Sequence, residues 1–216
     1  MKNIIKNNKN IPASLIKHKK ATHSNYDNYP KADKEILRKA LLEEQGYICA
    51  YCMNSIKNER STTKIEHFKP QKKFPKLELE YKNLLVVCKG GEGEIEDLQH
   101  CDTKKGDDVI SINPLNKNCE RLVQFLADGT VFSDDPTVHV ELTETLNLNV
   151  DYLVEERKTI LDIVKDEIVS IKAKGTWNRK MLEKEIEKYQ TKKDGKYSKY
   201  CQIIVYYLTK KLNRLN

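Results

Sequence analysis

The chain has 216 residues, 38% of them hydrophobic and 33% charged. That composition supplies one sizeable core and excludes a chain disordered throughout. No apolar run approaches the roughly 20 residues of a membrane helix. The basic start MKNIIKNNKN lacks the apolar stretch of a signal peptide, so a cytoplasmic protein is expected. The net charge is +7 but unevenly placed. Residues 1–40 carry ten Lys/Arg against three acids, 57–82 eight against four, and 192–216 seven against one, whereas 83–191 carry 22 acids against 14 bases. Such concentration suits a polyanion such as nucleic acid; a merely solvated lysine face fits the charge equally well.

In chain order, residues 1–30 are Asn/Lys-rich and weakly periodic, and read as an irregular arm. Pro30 precedes a helix with Ile36, Leu37, Ala40 and Leu41 on one face and Gly46 at its C-terminal cap. After YICAYC and a polar turn, TTKIEHF alternates as a strand does, and Pro70 helps end it. YKNLLVVC is a short buried segment, followed by a glycine-broken loop and CDTKKGDD. RLVQFLA and TVFS flank Asp128-Gly129, which predicts a hairpin. LNLNVDYL leads into helices. Val154, Ile160, Leu161, Val164, Ile168 and Ile171 form one stripe, ending near Gly175. Thr176 is expected to cap a second helix carrying Trp177, Met181 and Ile186. A third carries Tyr197, Tyr200, Cys201, Ile204, Val205 and Leu208.

Six cysteines in a cytoplasmic chain argue for metal ligation or free thiols before disulfides. Cys49-Ala-Tyr-Cys52 is a CxxC knuckle, a spacing that lets two thiolates hold one tetrahedral ion from a tight turn. Redox motifs share the spacing, but no thioredoxin-like βαβ pattern surrounds it. Cys88 and Cys101 supply two more thiolates, with His100 as an alternative fourth ligand; both cysteines could instead be ordinary buried thiols. Cys119 and Cys201 lack partners at ligand spacing and are assigned to packing. A four-thiolate site is closed and structural, so any chemistry must come from other residues.

The order CAYC, IEHFKP, KNLLVVC, CDTKKGD over residues 47–107 resembles the four-cysteine zinc subclass of HNH endonucleases. LRKALLEEQGYICAYC, the NPL and CE stretch at 113–120 and the LNLN segment resemble, more narrowly, the HNH subunit of Septu-type and retron-associated anti-phage systems. The resemblance implies an α+β chain: a small zinc-stapled ββα-metal module embedded in mostly helical sequence. It implies three segments. Residues 1–46 are a basic arm and helix, 47–110 the nuclease module, and 111–216 a hairpin and C-terminal helices for partner or substrate contact. By position, His67 matches the catalytic histidine and Glu66 the acidic metal ligand before it. Asn83 matches the asparagine that braces the loop bearing the base, and Lys105 the basic residue near the end of the motif. Asp102 stands where the family often has Asn or His as second ligand, a departure that adds negative charge. Twelve residues separate Cys88 from Cys101, where the family spaces this pair closely, which leaves the fourth zinc ligand open between Cys101 and His100. An ATPase partner is also implied.

The chemistry is coherent. Phosphodiester cleavage needs a base for water, neutralised phosphate charge and a stabilised leaving oxygen. A histidine serves the first at neutral pH. One Mg²⁺ or Mn²⁺ on Glu66 and Asp102 serves the others. Lys69, Lys72, Lys73 and Lys105 are placed to contact backbone phosphates. The expected activity is therefore metal-dependent endonucleolytic hydrolysis, of DNA in preference to RNA. Cleavage of a structured RNA, or a non-catalytic zinc-stabilised nucleic-acid-binding module, are the alternatives.

Overall fold

The computed structural model describes residues 1–171 and 177–215. The arm is more structured than its composition suggests. Met1 and Ile4 are buried, Ile4 N–H donates to the Pro114 carbonyl at 2.8 Å, and a short helix, α1 (Ala13–Lys19), buries Leu15. Helix α2 (Lys31–Gln45) follows Pro30 and ends at Gly46, whose φ of 67° lets Tyr47 N–H reach back to the Leu42 carbonyl. Its buried face is Leu37, Arg38, Leu41, Leu42 and Gln45. Ile36, expected inward, is exposed.

Strand β1 (Thr63–His67) pairs antiparallel with β2 (Leu84–Cys88), in a register running from Thr63 opposite Cys88 to His67 opposite Leu84. Leu84 to Val87 are all buried, the continuous apolar run of a strand covered on both faces. The Gln45 amide ties α2 to β2. Its Oε1 accepts from Val86 N–H at 2.7 Å, and its Nε2 donates to the carbonyls of Val86 and Ile48. A five-residue helix, α3 (Cys101–Lys105), then packs against β2.

Helix α4 (Cys119–Leu122) leads into the expected hairpin, β3 (Gln124–Phe125) and β4 (Val131–Phe132). Gly129 sits in its turn at φ 94°, where an added Cβ would lie 2.2 Å from the Val154 carbonyl oxygen. Arg157, fully buried, donates to the Gly129 and Leu148 carbonyls at 2.6 and 2.7 Å. Gly129→Ala is therefore expected to destabilise the fold by about 1–3 kcal/mol, the usual cost of such backbone strain. Thermal denaturation of the variant at the wild-type melting point would contradict this close approach.

Helix α5 (Pro136–Val140), capped by Asp135, runs into a π-helical turn over Glu141–Thr145; neither was expected. Glu141 accepts from Ser111 N–H, Ser111 Oγ and Ile112 N–H. Three helices follow: α6 (Asp151–Ile171), α7 (Arg179–Gln190) and α8 (Cys201–Asn213). Gly175 and Thr176 lie outside the described residues; Asn178 caps α7 by accepting from Met181 N–H. Tyr197, expected inside the last helix, precedes it and bonds the Gly46 carbonyl. Buried Leu, Ile and Val side chains form one continuous core from the arm to α8. The chain is α+β, and no described helix is long and apolar enough to cross a membrane.

Candidate metal centre and active site

Two polar centres flank the β1–β2 pair. The first is built from the knuckle. Cys49 N–H donates to the Asn54 carbonyl, Met53 N–H to the Cys49 carbonyl, and Ala50 N–H to Val86 on β2. These bonds close the turn and press it against the strand that ends in Cys88. Cys101 opens α3 with φ 55°, held by its N–H on the Leu146 carbonyl at 2.8 Å. Asn147 grips the preceding loop through the Asp97 and Gln99 carbonyls. The twelve-residue insertion thus folds back and returns Cys101 to the knuckle.

The four sulfurs of Cys49, Cys52, Cys88 and Cys101 all lie within 4.8 Å of one another. Cys49–Cys101 is 3.9 Å and Cys52–Cys88 3.8 Å. A tetrahedron with Zn–S of about 2.3 Å has edges of about 3.8 Å, so the set fits a zinc ion. Burial pushes the Cys101 thiol well up, and the neighbouring cysteines add to this. Four thiolates here need a cation. His100 lies beside this set: its Nδ1 is 3.2 Å from Cys101 Sγ, and its other ring nitrogen meets the Tyr152 hydroxyl. A ring held this way can donate to a thiolate and orient it.

The second centre holds the residues singled out for chemistry. Glu66 projects from β1 and is buried. Its Oε1 meets Lys105 Nζ at 2.8 Å and accepts from Tyr51 Oη at 2.9 Å. Asp102, one turn earlier than Lys105 on α3, is close enough to this carboxyl to raise its pKa, and its own Oδ2 lies 3.6 Å from Lys64 Nζ. Burial and then Asp102 push Glu66 up to about 8, against the opposing pull of Lys105. One buried acid and one half-buried acid converging this way suit a hard divalent ion.

His67 ends β1. Its Nε2 is 3.0 Å from the Glu78 carbonyl oxygen. A carbonyl only accepts, so Nε2 carries the proton and Nδ1 the lone pair. Burial lowers the His67 pKa, the Glu78 carbonyl partly offsetting it, so the ring is neutral at neutral pH. Asp102 and Lys105 both act on it electrostatically. Asn83 accepts from Lys69 N–H at 2.8 Å and donates to the Lys69 and Leu77 carbonyls, lacing both ends of the loop that carries Glu78.

The lysines divide. Lys69 is half-buried with its ammonium over Phe68. Lys72 and Lys73 face Asp107 and Asp108 at 3.5 and 3.9 Å. Lys105 is buried to 1% exposure, with its charge turned into the site. Sequence reasoning missed Tyr51, Tyr26 and Glu78. Tyr51 sits inside the CAYC knuckle, but no spacing rule connects it to Glu66. Cys119 and Cys201 are buried outside both centres.

No family model matches the chain. Two curated proteins do. One, named as the candidate HNH endonuclease of retron Vc95 from Vibrio cholerae, is 31% identical over 134 residues, covering 58% of this chain and 63% of its own length. The Septu protein PtuB of Bacillus thuringiensis is 31% identical over 143 residues, covering 55% and 56%. This chain is similar to one retron protein and one Septu protein. It spans somewhat over half the length of these relatives, and they are of the two kinds that its motif order resembles.

The position of Glu66 sets a pH dependence. A divalent ion, if held between Glu66 and Asp102, would displace the proton that Glu66 holds below about 8. Mn²⁺ affinity is therefore expected to rise by up to about tenfold per pH unit from pH 6 and to level off near 8, with about one proton released per ion. The sign for the fold with no ion on Glu66 and Asp102 is opposite. A carboxyl raised from 4.5 to about 8 binds more protons folded than unfolded, so its contribution falls as pH rises across that window. Calorimetric Mn²⁺ titration in buffers of different ionisation enthalpy measures the proton count; a pH-independent affinity would exclude Glu66 as a ligand.

Proposed function

We propose that this chain is a metal-dependent HNH endonuclease that hydrolyses nucleic-acid phosphodiester bonds, with DNA favoured over RNA. β1, β2 and α3 would be its ββα-metal module, within residues 47–110. It would act in the cytoplasm as the effector subunit of an anti-phage complex whose partner is an ATPase. One juxtaposition supports this above all: Glu66 and His67 close β1 beside Asp102 on α3, with Nδ1 of His67 left unbonded among the described residues.

In this proposal, His67 Nδ1 takes the proton of the attacking water, while the Glu78 carbonyl holds the ring and its tautomer. Glu66 and Asp102 hold Mg²⁺ or Mn²⁺, which would neutralise phosphate charge and stabilise the leaving oxygen. Lys105 keeps Glu66 in place and brings positive charge beneath the scissile phosphate. Lys69 contacts the strand further along. Asn83 keeps the loop between them from drifting. The four cysteines hold zinc as a structural staple.

The test is to purify the chain with its co-encoded neighbours. Supercoiled plasmid, linear duplex and structured RNA are then incubated with Mg²⁺ or Mn²⁺, with and without ATP, and with EDTA as control. Metal-dependent cutting of DNA is the expected result. Cutting of RNA alone would move the substrate; binding without cutting under every condition would replace the nuclease by a binding module.

A further inference from the structure

We propose that the loop between α1 and α2, together with the first turn of α2, completes the substrate side of this site. Tyr26 positions the His67 ring, and Lys34, stacked on Tyr26, binds a backbone phosphate of the nucleic acid. The proposal rests on the nuclease reading for its substrate, but its contacts stand independently.

Tyr26 meets His67 edge to face, with ring centroids 4.5 Å apart and planes at 89°. The same residue's N–H donates to Glu78 Oε2 at 3.1 Å, which also accepts from Gln71 Nε2 at 2.8 Å. Glu78 is the residue whose carbonyl holds Nε2 of His67. One loop residue thus fixes the imidazole twice, through its ring and through the residue that sets the tautomer. The loop itself is pinned. Asn25 and Asn28 exchange side-chain and backbone bonds at 2.9 and 2.8 Å, and Asn28 Nδ2 donates to the His23 carbonyl.

Lys34 Nζ lies 4.4 Å from the centre of the Tyr26 ring, one ring away from His67. Its hydrogen bond to the Asp27 carbonyl is long, at 3.4 Å. Among the described residues no carboxylate pairs with it at salt-bridge distance. That sets it apart from Lys72 and Lys73, which face aspartates, and from Lys105, which is buried on Glu66. An ammonium half-shielded over an aromatic face, uncommitted to an acid and beside the base, suits a phosphate oxygen.

Full-length variants test both residues. Tyr26→Leu is expected to lower kcat by about 10- to 100-fold, as small misplacements of a reacting group do, and to raise KM no more than Lys34→Ala does, since Lys34 loses the ring beneath it; Tyr26→Phe, which keeps the ring, restores the rate. In the same variant the His67 imidazole proton resonances shift as the neighbouring ring current is lost, which reports the contact without any cleavage. Lys34→Ala is read by binding of protein that keeps its zinc, with no Mg²⁺ or Mn²⁺ added, to a labelled DNA duplex and a labelled RNA hairpin. Affinity falls several-fold, and the slope of log affinity against log salt shrinks by about one. The probe that shows the change identifies the strand type.

A Tyr26→Leu enzyme with wild-type kcat, or unshifted His67 resonances, overturns the positioning role. Unchanged affinity and salt slope in Lys34→Ala overturn the phosphate contact. A wild-type chain that binds but never cuts defeats the nuclease reading instead, and the resonance and binding measurements still decide this one.

Discussion

Removing metal from the four-cysteine centre is expected to cost the chain its cooperative fold. Structural zinc in small modules contributes about 10–16 kcal/mol at neutral pH, as much as the whole stability of a typical domain, about 5–15 kcal/mol. The geometry explains why the loss would spread. The knuckle is pressed onto β2 by Ala50, Cys88 ends that strand, and Cys101 opens the helix bearing Asp102 and Lys105. Without the ion, four crowded cysteine sulfurs remain with nothing between them, and Cys101 stays in a left-handed conformation that non-glycine residues avoid. A strong chelator, or Cys52→Ala, should abolish the sharp thermal transition seen by circular dichroism. Elemental analysis of the untreated protein should find one zinc per chain. A Cys101→Ala variant that keeps full zinc and its melting point would hand the fourth position to His100.

His67→Ala is expected to lower cleavage by about 10²- to 10⁴-fold, the range that a positioned general base supplies, while zinc content and melting temperature stay close to wild type. The imidazole lies at the end of β1, and its polar bond is to the Glu78 carbonyl, so truncation removes one hydrogen bond and leaves the zinc centre untouched. His67→Gln is the sharper comparison, since an amide can still donate to that carbonyl but cannot take a proton from water. A glutamine variant that cuts at the wild-type rate would remove His67 from the chemistry. Because burial lowers the His67 pKa, the low-pH limb of the wild-type rate should fall below the ordinary histidine range.

What the sequence disclosed was local. The knuckle, the alternating TTKIEHF strand, Gly46 at a helix end and Asp128-Gly129 in a turn each follow from a few adjacent residues, and each appears where the pattern puts it. Asn83 is singled out by the resemblance, and the structure gives it three hydrogen bonds, to Lys69 N–H and to the Lys69 and Leu77 carbonyls. What stayed hidden depends on distant contacts. Lys105 matches the basic residue of the motif by position, but its burial against Glu66 shows only in the fold. Tyr26 lies in an Asn-rich stretch with no period, yet reaches His67 across more than forty residues of chain. Helix α1 is seven residues long, too short for a periodicity to show. The π-helical turn depends on Glu141 finding the Ser111–Ile112 backbone, which no local rule anticipates.

The Gln45 amide has a consequence beyond joining a helix to a strand. A two-stranded sheet has two open edges, and each could template pairing with another chain. Along the edge of β2 turned away from β1, Gln45 takes the Val86 N–H, and its Nε2, with Ala50 N–H, takes the Val86 carbonyl. One side chain therefore imitates the strand that is missing. The edge of β2 away from Glu66 and His67 is closed at Val86 to an incoming strand from a second molecule, so this sheet can stay small without becoming a seed for aggregation.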